Sequence, residues 1–122
     1  MKSFLFVFLG GGLGSALRYL VASAMNQYSK VLPYGTFTVN ILGCLLIGMI
    51  LGYAQKENTL NSNQTLLLAT GFCGGFTTFS AFANENLELI KNGEIFNFSV
   101  YTIGSILVGV LAVFIGFYLT NR

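Results

Sequence analysis

The sequence contains no His, no Asp and no Trp, a single Pro and two Cys in 122 residues, and only 8% of it is charged. Each shortage excludes something. Without His and Asp, most metal sites, the Ser–His–Asp arrangement and carboxylate–histidine relays cannot be assembled, so no enzyme is expected. A soluble domain carries about a quarter charged residues. This chain has too few to cover a water-facing surface, and the bilayer is its expected solvent. A net charge of +2 with no basic cluster leaves no footprint for nucleic acid. Cys44 and Cys73 both lie inside apolar runs and read as small buried residues, not as a disulfide.

What the chain has in excess is apolar length. Spanning a hydrocarbon core takes about 20 helical residues. Four runs reach that length, residues 4–25, 34–54, 66–90 and 98–119, separated by NQYSKVLP, QKENTLNSNQ and KNGEIFN. The expected fold is an all-α membrane protein, a single four-helix transmembrane domain over residues 1–122. Lys2, the apolar run after it and Ala22-Ser23-Ala24 have the outline of a cleaved signal peptide. Arg18 interrupts that run just before the small residues, and the glycines from Gly10 to Gly14 favour helix packing instead.

Short cytoplasmic loops are enriched in Lys and Arg. With the N-terminus inside, Lys2, Lys56 and Arg122 lie on the cytoplasmic side, whereas Lys30 and Lys91 lie outside and Arg18 sits nearer the outer end of its span. Three against three gives no orientation a preference, so insertion both ways and antiparallel pairing are expected. Gly10 and Gly14, Gly48 and Gly52, Gly71 and Gly75, and Ser105 and Gly109 are each four apart, the spacing that lets membrane helices approach closely.

Polar groups in hydrocarbon cost several kcal/mol unless partnered. Thr36, Asn40, Gly43 and Cys44 share one face of the second span; Tyr101, Thr102, Ser105 and Gly109 share one of the fourth. In the third, Ser80 and Asn84 lie one turn apart, with Glu85 and Glu88 towards the end. Gly74-Gly75-Phe76-Thr77-Thr78 is a poor helix centre, and irregular backbone at membrane depth is tolerated only where it is buried in protein or lines a cavity. An unwound segment frees carbonyls that can coordinate a hard cation such as Na⁺. Phe79 and Phe82, three apart, project to one side of the resumed helix, where positive ring edges can line an anion path.

Three motifs carry a resemblance over essentially the whole chain: GGGLGSALRY from Gly10, GTFTVNILG from Gly35, and GFCGGFTTFSAF from Gly71. Together they resemble the Fluc (CrcB) fluoride channels, with departures at Ser15, Ala81 and Ala83. The resemblance implies a fluoride-selective channel that exports F⁻ passively from the cytoplasm and relieves its toxicity. It also implies a multi-pass protein of the cell (inner) membrane, built as a dual-topology dimer with two antiparallel pores and a structural Na⁺ at the dyad. By motif, Asn40 is the pore-lining amide, Phe79 and Phe82 the aromatic pair, and the backbone carbonyls of Gly74 and Thr77 the sodium ligands. Thr36, Ser80, Tyr101 and Ser105 continue the polar track, Arg18 stands near the aqueous mouth, attracting anions or fixing the helix end, and Glu85 borders a vestibule. The sequence is compatible with a homodimer and with a heterodimer containing a divergent homologue.

Two other readings fit four helices in so short a chain. A small dual-topology multidrug transporter resembles this one in size, but such exporters carry a Glu in the first helix, where this chain has only Arg18. A non-transporting assembly subunit would use the polar stripes as interhelical glue. An apolar residue at Asn40 separates these readings: a channel loses flux and keeps its dimer, whereas glue loses assembly.

Overall fold

The computed structural model describes residues 1–27 and 31–122, and among them every regular element is helical. Lys30, one of the charges in the orientation tally, lies outside the described residues. Helix α1 spans Lys2–Asn26 and α2 spans Tyr34–Glu57. The third crossing is divided into α3, residues 62–76, and α4, Phe79–Lys91, and α5 spans Ile95–Thr120. At 1.5 Å per residue, the 25 residues of α1 are about 37 Å long, enough to cross a bilayer. By length and composition, four helices qualify as membrane spans, with residues 62–91 counted as one crossing.

Several ends lie beyond the apolar runs, each for a local reason. Residue 66 was the expected start of the third span, but α3 begins at Ser62. There Asn61 and Gln64 form a reciprocal cap: the Gln64 N–H donates to Asn61 Oδ1 at 2.8 Å and the Asn61 N–H to Gln64 Oε1 at 3.0 Å. Helix α2 runs to Glu57, not residue 54, and closes on Asn58 in the left-handed region. Helix α5 starts at Ile95, not residue 98, because its polar first turn is bonded locally. Asn97 Nδ2 donates to Glu94 Oε2 at 2.8 Å and Ser99 Oγ to the Ile95 carbonyl at 3.0 Å. The tight turn from α4 into α5 passes through Gly93 at φ +75°.

The break itself falls later than the glycines suggest. Gly74 and Gly75 remain helical, and the chain becomes extended at Thr77 (φ −84°, ψ 158°) and Thr78 (φ −149°, ψ 119°). β-branched residues suit extended backbone, whereas the glycine pair is needed for something else. A Cβ on Gly75 would strike the carbonyl of Gly11 in α1. Before the break, Leu66–Cys73 is wound as a π-helix, a wide turn common at functional sites and not read from the sequence.

Two glycine seams hold the helices together. Gly10 of α1 meets Gly71 of α3, Gly11 meets Gly75 and Gly14 meets Phe72: a Cβ on Gly10 would hit the Leu67 carbonyl, and one on Gly14 the Phe72 carbonyl. On the other side, Gly48 meets the Val113 carbonyl, Gly52 the backbone of Phe117, and Gly116 the Leu45 carbonyl, locking α2 to α5. Thr120 Oγ1 adds a bond to the Met49 carbonyl at 2.9 Å. The fourth small pair behaves differently. A Cβ on Gly109 would make ordinary contact with Cys44 Sγ at 3.5 Å, and Ser105 faces a groove. Helix α4 stands apart, resting on α5 and, more thinly, on α2.

These seams predict a contrast. Gly14→Ala should destabilise the fold by roughly 1–3 kcal/mol, since backbone cannot move aside as a side chain can. Gly12→Ala, whose Cβ meets nothing within 4 Å, should be neutral or slightly stabilising. Thermal melting of the two purified variants in the same detergent checks it. Equal loss at both positions would contradict the seam.

Candidate functional site

At the break the Thr77 N–H still reaches the Cys73 carbonyl at 3.0 Å, but Thr78 and Gly75 take their partners from other helices. From α2, the Asn40 amide closes a two-point clamp on Thr78. The Thr78 N–H donates to Asn40 Oδ1 at 2.7 Å, and Asn40 Nδ2 donates to the Thr78 carbonyl at 3.1 Å. The side chain thus stands in for a neighbouring backbone strand. From α1, Arg18 Nε donates to the Gly75 carbonyl at 2.9 Å, and Ser15 Oγ adds a longer bond at 3.4 Å. Thr78 Oγ1 caps α4 by accepting from the Ala81 N–H at 3.2 Å. Thr77 Oγ1 folds back on the Cys73 carbonyl at 2.9 Å.

This substitution of partners selects particular carbonyls. In an unbroken helix the Gly74 carbonyl would accept from the N–H of Thr78, and that of Thr77 from Ala81. Both donors are diverted, the first to Asn40 Oδ1 and the second to Thr78 Oγ1. Gly74 and Thr77 are therefore the two positions whose oxygens lose their regular donors to side-chain acceptors. Gly74 is also exposed, with nothing within 4 Å of the place a Cβ would take. Neutral carbonyl oxygens freed of their regular donors are the type of ligand that suits a hard cation of low charge. Among the described residues no group of three His, Cys, Asp or Glu is placed to hold a metal.

The same break opens onto a groove of about 550 Å³. Asn40 and Cys44 of α2 form one wall and Thr70 and Gly74 of α3 another. Thr77, Thr78, Phe79 and Phe82 lie along the break, and Ser105 of α5 closes the far side. Phe79 is 78% exposed, an unusual position for so large an apolar ring unless lipid or a second chain covers it. The Ser105 hydroxyl oxygen is buried and has no partner among the described residues.

From the groove an aromatic line leads onward. The rings of Phe79 and Phe82 are 5.7 Å apart and tilted by 45°, and Phe82 and Tyr101 are 5.1 Å apart and tilted by 54°. The Tyr101 hydroxyl donates to Glu85 Oε1 at 3.3 Å, and Thr36 Oγ1, from a residue only 4% exposed, donates to Glu85 Oε2 at 2.8 Å. Glu85 lines a second cavity of about 280 Å³, together with Asn26, Pro33, Glu88 and Glu94. The line thus joins the two cavities.

A family model described as CrcB-like protein, Camphor Resistance (CrcB), matches residues 5–117. The chain belongs to the CrcB family. Among CrcB relatives, a protein of Phocaeicola vulgatus is 48% identical over 99% of this chain and 100% of its own length. One of Flavobacterium psychrophilum is 44% identical over 100% and 99%, and one of Gloeothece citriformis 49% over 100% and 99%. All three bear the name Fluoride-specific ion channel FluC. The relatives are named as channels, and theirs is not an enzymatic function.

Against the motif positions of the CrcB family, the structure distributes the residues unevenly. Asn40, Phe79, Phe82 and Ser105 meet at the groove with Gly74 and Thr77. Thr36 and Tyr101 do not line it; they meet at Glu85. Ser80 is exposed and lies 3.3 Å from Thr78 Oγ1. Arg18 points at the back of the break, an orientation that its place in the sequence did not disclose. Thr78 was overlooked as a cap, although Thr before a resumed helix is a standard signal. Because Asn40 both clamps the break and faces the groove, its replacement does not cleanly separate a channel from glue.

Asn40→Leu is expected to cost roughly 1–3 kcal/mol by leaving the Thr78 N–H and carbonyl without partners. Denaturant titration in detergent micelles measures it. A variant as stable as the parent would show that the clamp is dispensable.

Proposed function

We propose that this multi-pass membrane protein is a fluoride-selective channel of the cell (inner) membrane that lets F⁻ leave the cytoplasm passively. The observation that carries the reading is similarity over the full chain to relatives named fluoride-specific ion channels. The site agrees with it on physical grounds. A small anion that gives up its water needs donors, yet a full positive charge would hold it too long. The groove offers the unpartnered Ser105 hydroxyl and the tilted rings of Phe79 and Phe82, whose edges carry partial positive charge. One N–H of the Asn40 amide is committed to Thr78, which leaves its second N–H as a further donor. Beyond Phe82, the hydroxyls of Tyr101 and Thr36 are bonded to Glu85, so an ion passing there competes with a carboxylate for its donors.

The functional unit in this reading is a homodimer of oppositely inserted copies with two antiparallel pores. Support comes from the even charge tally, the exposure of Phe79 and Gly74, and a groove open on one side. The carbonyls of Gly74 and Thr77 would hold the sodium ion, two from each copy. That ion would supply a fixed positive charge balancing the carbonyl dipoles where two breaks meet.

Fluoride efflux from liposomes containing the purified protein, followed with a fluoride electrode and with chloride as control, tests the proposal. Fast voltage-driven fluoride loss with little chloride loss is expected; no fluoride flux from an assembled dimer would sink it. Ser105→Ala sharpens the result. A hydrogen bond to an ion is worth roughly 1.5–3 kcal/mol, so flux should fall about tenfold. Melting temperature should hold or rise, since a buried hydroxyl without a partner is removed. Unchanged flux in Ser105→Ala would take that hydroxyl out of the path.

A further inference from the structure

We propose that Arg18 is a positioning residue of the helix break, acting through the neutral geometry of its Nε–H and not through attraction of anions by its charge. The assignment rests on the channel reading above, with its cation held by carbonyls. Three carbonyls around the break, those of Gly74, Gly75 and Thr77, point to different fates. Those of Gly74 and Thr77 have lost their regular donors to Asn40 and Thr78. The Gly75 carbonyl is instead taken by Arg18 Nε at 2.9 Å, with Ser15 Oγ at 3.4 Å on the same oxygen.

The surroundings make this hold rigid. Gly75 is pressed against α1 so closely that a Cβ there would strike the Gly11 carbonyl, and Gly14 is pressed as closely against Phe72. Arg18 therefore reaches an oxygen that cannot drift, one turn beyond the seam on the same helix. Its bond occupies the Gly75 carbonyl, whereas the Gly74 and Thr77 oxygens are those whose regular donors go to side chains. Arg18 does not line the groove, so it has no route to touch an ion there. Of the two roles open to Arg18 in the sequence, attracting anions and fixing the helix end, the contact with backbone oxygen favours the second and places it at the break.

Gln and Lys separate the two roles. In Gln the amide nitrogen stands the same number of bonds from Cα as Nε does in Arg, so Arg18→Gln keeps a donor at that place and loses the charge. Arg18→Lys keeps the charge on a nitrogen one bond further out. Arg18→Met loses both. Fluoride efflux from liposomes and the difference in melting temperature between sodium and N-methylglucamine buffers should be measured for parent and variants. Arg18→Gln is expected to conduct at least tenfold faster than Arg18→Met and to keep a sodium-dependent rise in melting temperature that Arg18→Met lacks. Arg18→Gln as slow as Arg18→Met, or Arg18→Met behaving as the parent, would overturn the assignment. Should Arg18→Met fail to assemble, Gln against Lys decides: faster flux with Gln supports positioning and faster flux with Lys refutes it. A parent protein with no flux would count against the channel reading, and the sodium-dependent melting shifts would still judge Arg18.

Discussion

Hydrocarbon offers no partner to a backbone N–H or carbonyl, and this fold is organised around meeting that constraint at one place. Where the third crossing becomes extended at Thr77 and Thr78, the Asn40 amide supplies both a donor and an acceptor to Thr78. Arg18 and Ser15 take the Gly75 carbonyl from the opposite side. The break is thus built from three helices, and none of them could hold it alone. Its placement decides which carbonyls lose their helical donors and where Phe79 and Phe82 emerge.

Such a clamp needs a frame that does not slide. The α1–α3 seam sets Gly10 on Gly71, Gly11 on Gly75 and Gly14 on Phe72, and the α2–α5 seam sets Gly48, Gly52 and Gly116 against facing backbone. Close backbone approach substitutes here for the hydrophobic drive that is missing between helices in lipid. The first seam delivers Arg18 to Gly75, and the second brings Ser105 and Tyr101 of α5 to the faces they occupy. Packing and polar chemistry are not separate layers in this molecule: the same glycines that join the helices position the donors.

Much of this was legible in residue order. Four apolar runs gave four crossings, and three of the four small-residue pairs lie at close helix contacts. The exception, Ser105 and Gly109, went unrecognised because spacing alone cannot tell a seam from a cavity wall. Similarly, Gly74 and Gly75 look like the place where the helix fails, because glycine is a poor helix former. In the fold their missing side chains serve contact and open space, and the threonines take the strain-free extended conformation. The direction of Arg18 and the convergence of Thr36 and Tyr101 on Glu85 were not accessible at all. Each depends on residues some 16 to 57 positions apart meeting in space. The π-helical stretch at Leu66–Cys73 left no mark in composition.

The division of the third crossing has a consequence for how such a chain can vary. Residues 62–76 are bound to α1 along a seam of bare backbone, whereas residues 79–91 rest mainly on α5 and touch little else. The two halves therefore answer to different neighbours and meet only through the clamp at Thr78. Drift in the second half, including Ala81 and Ala83, need be matched mainly along α5 and at the Thr36–Glu85 bond to α2, while the first half is held to α1 atom by atom. One crossing thus contains a part fixed by assembly and a part free to be retuned, with an asparagine as the joint between them.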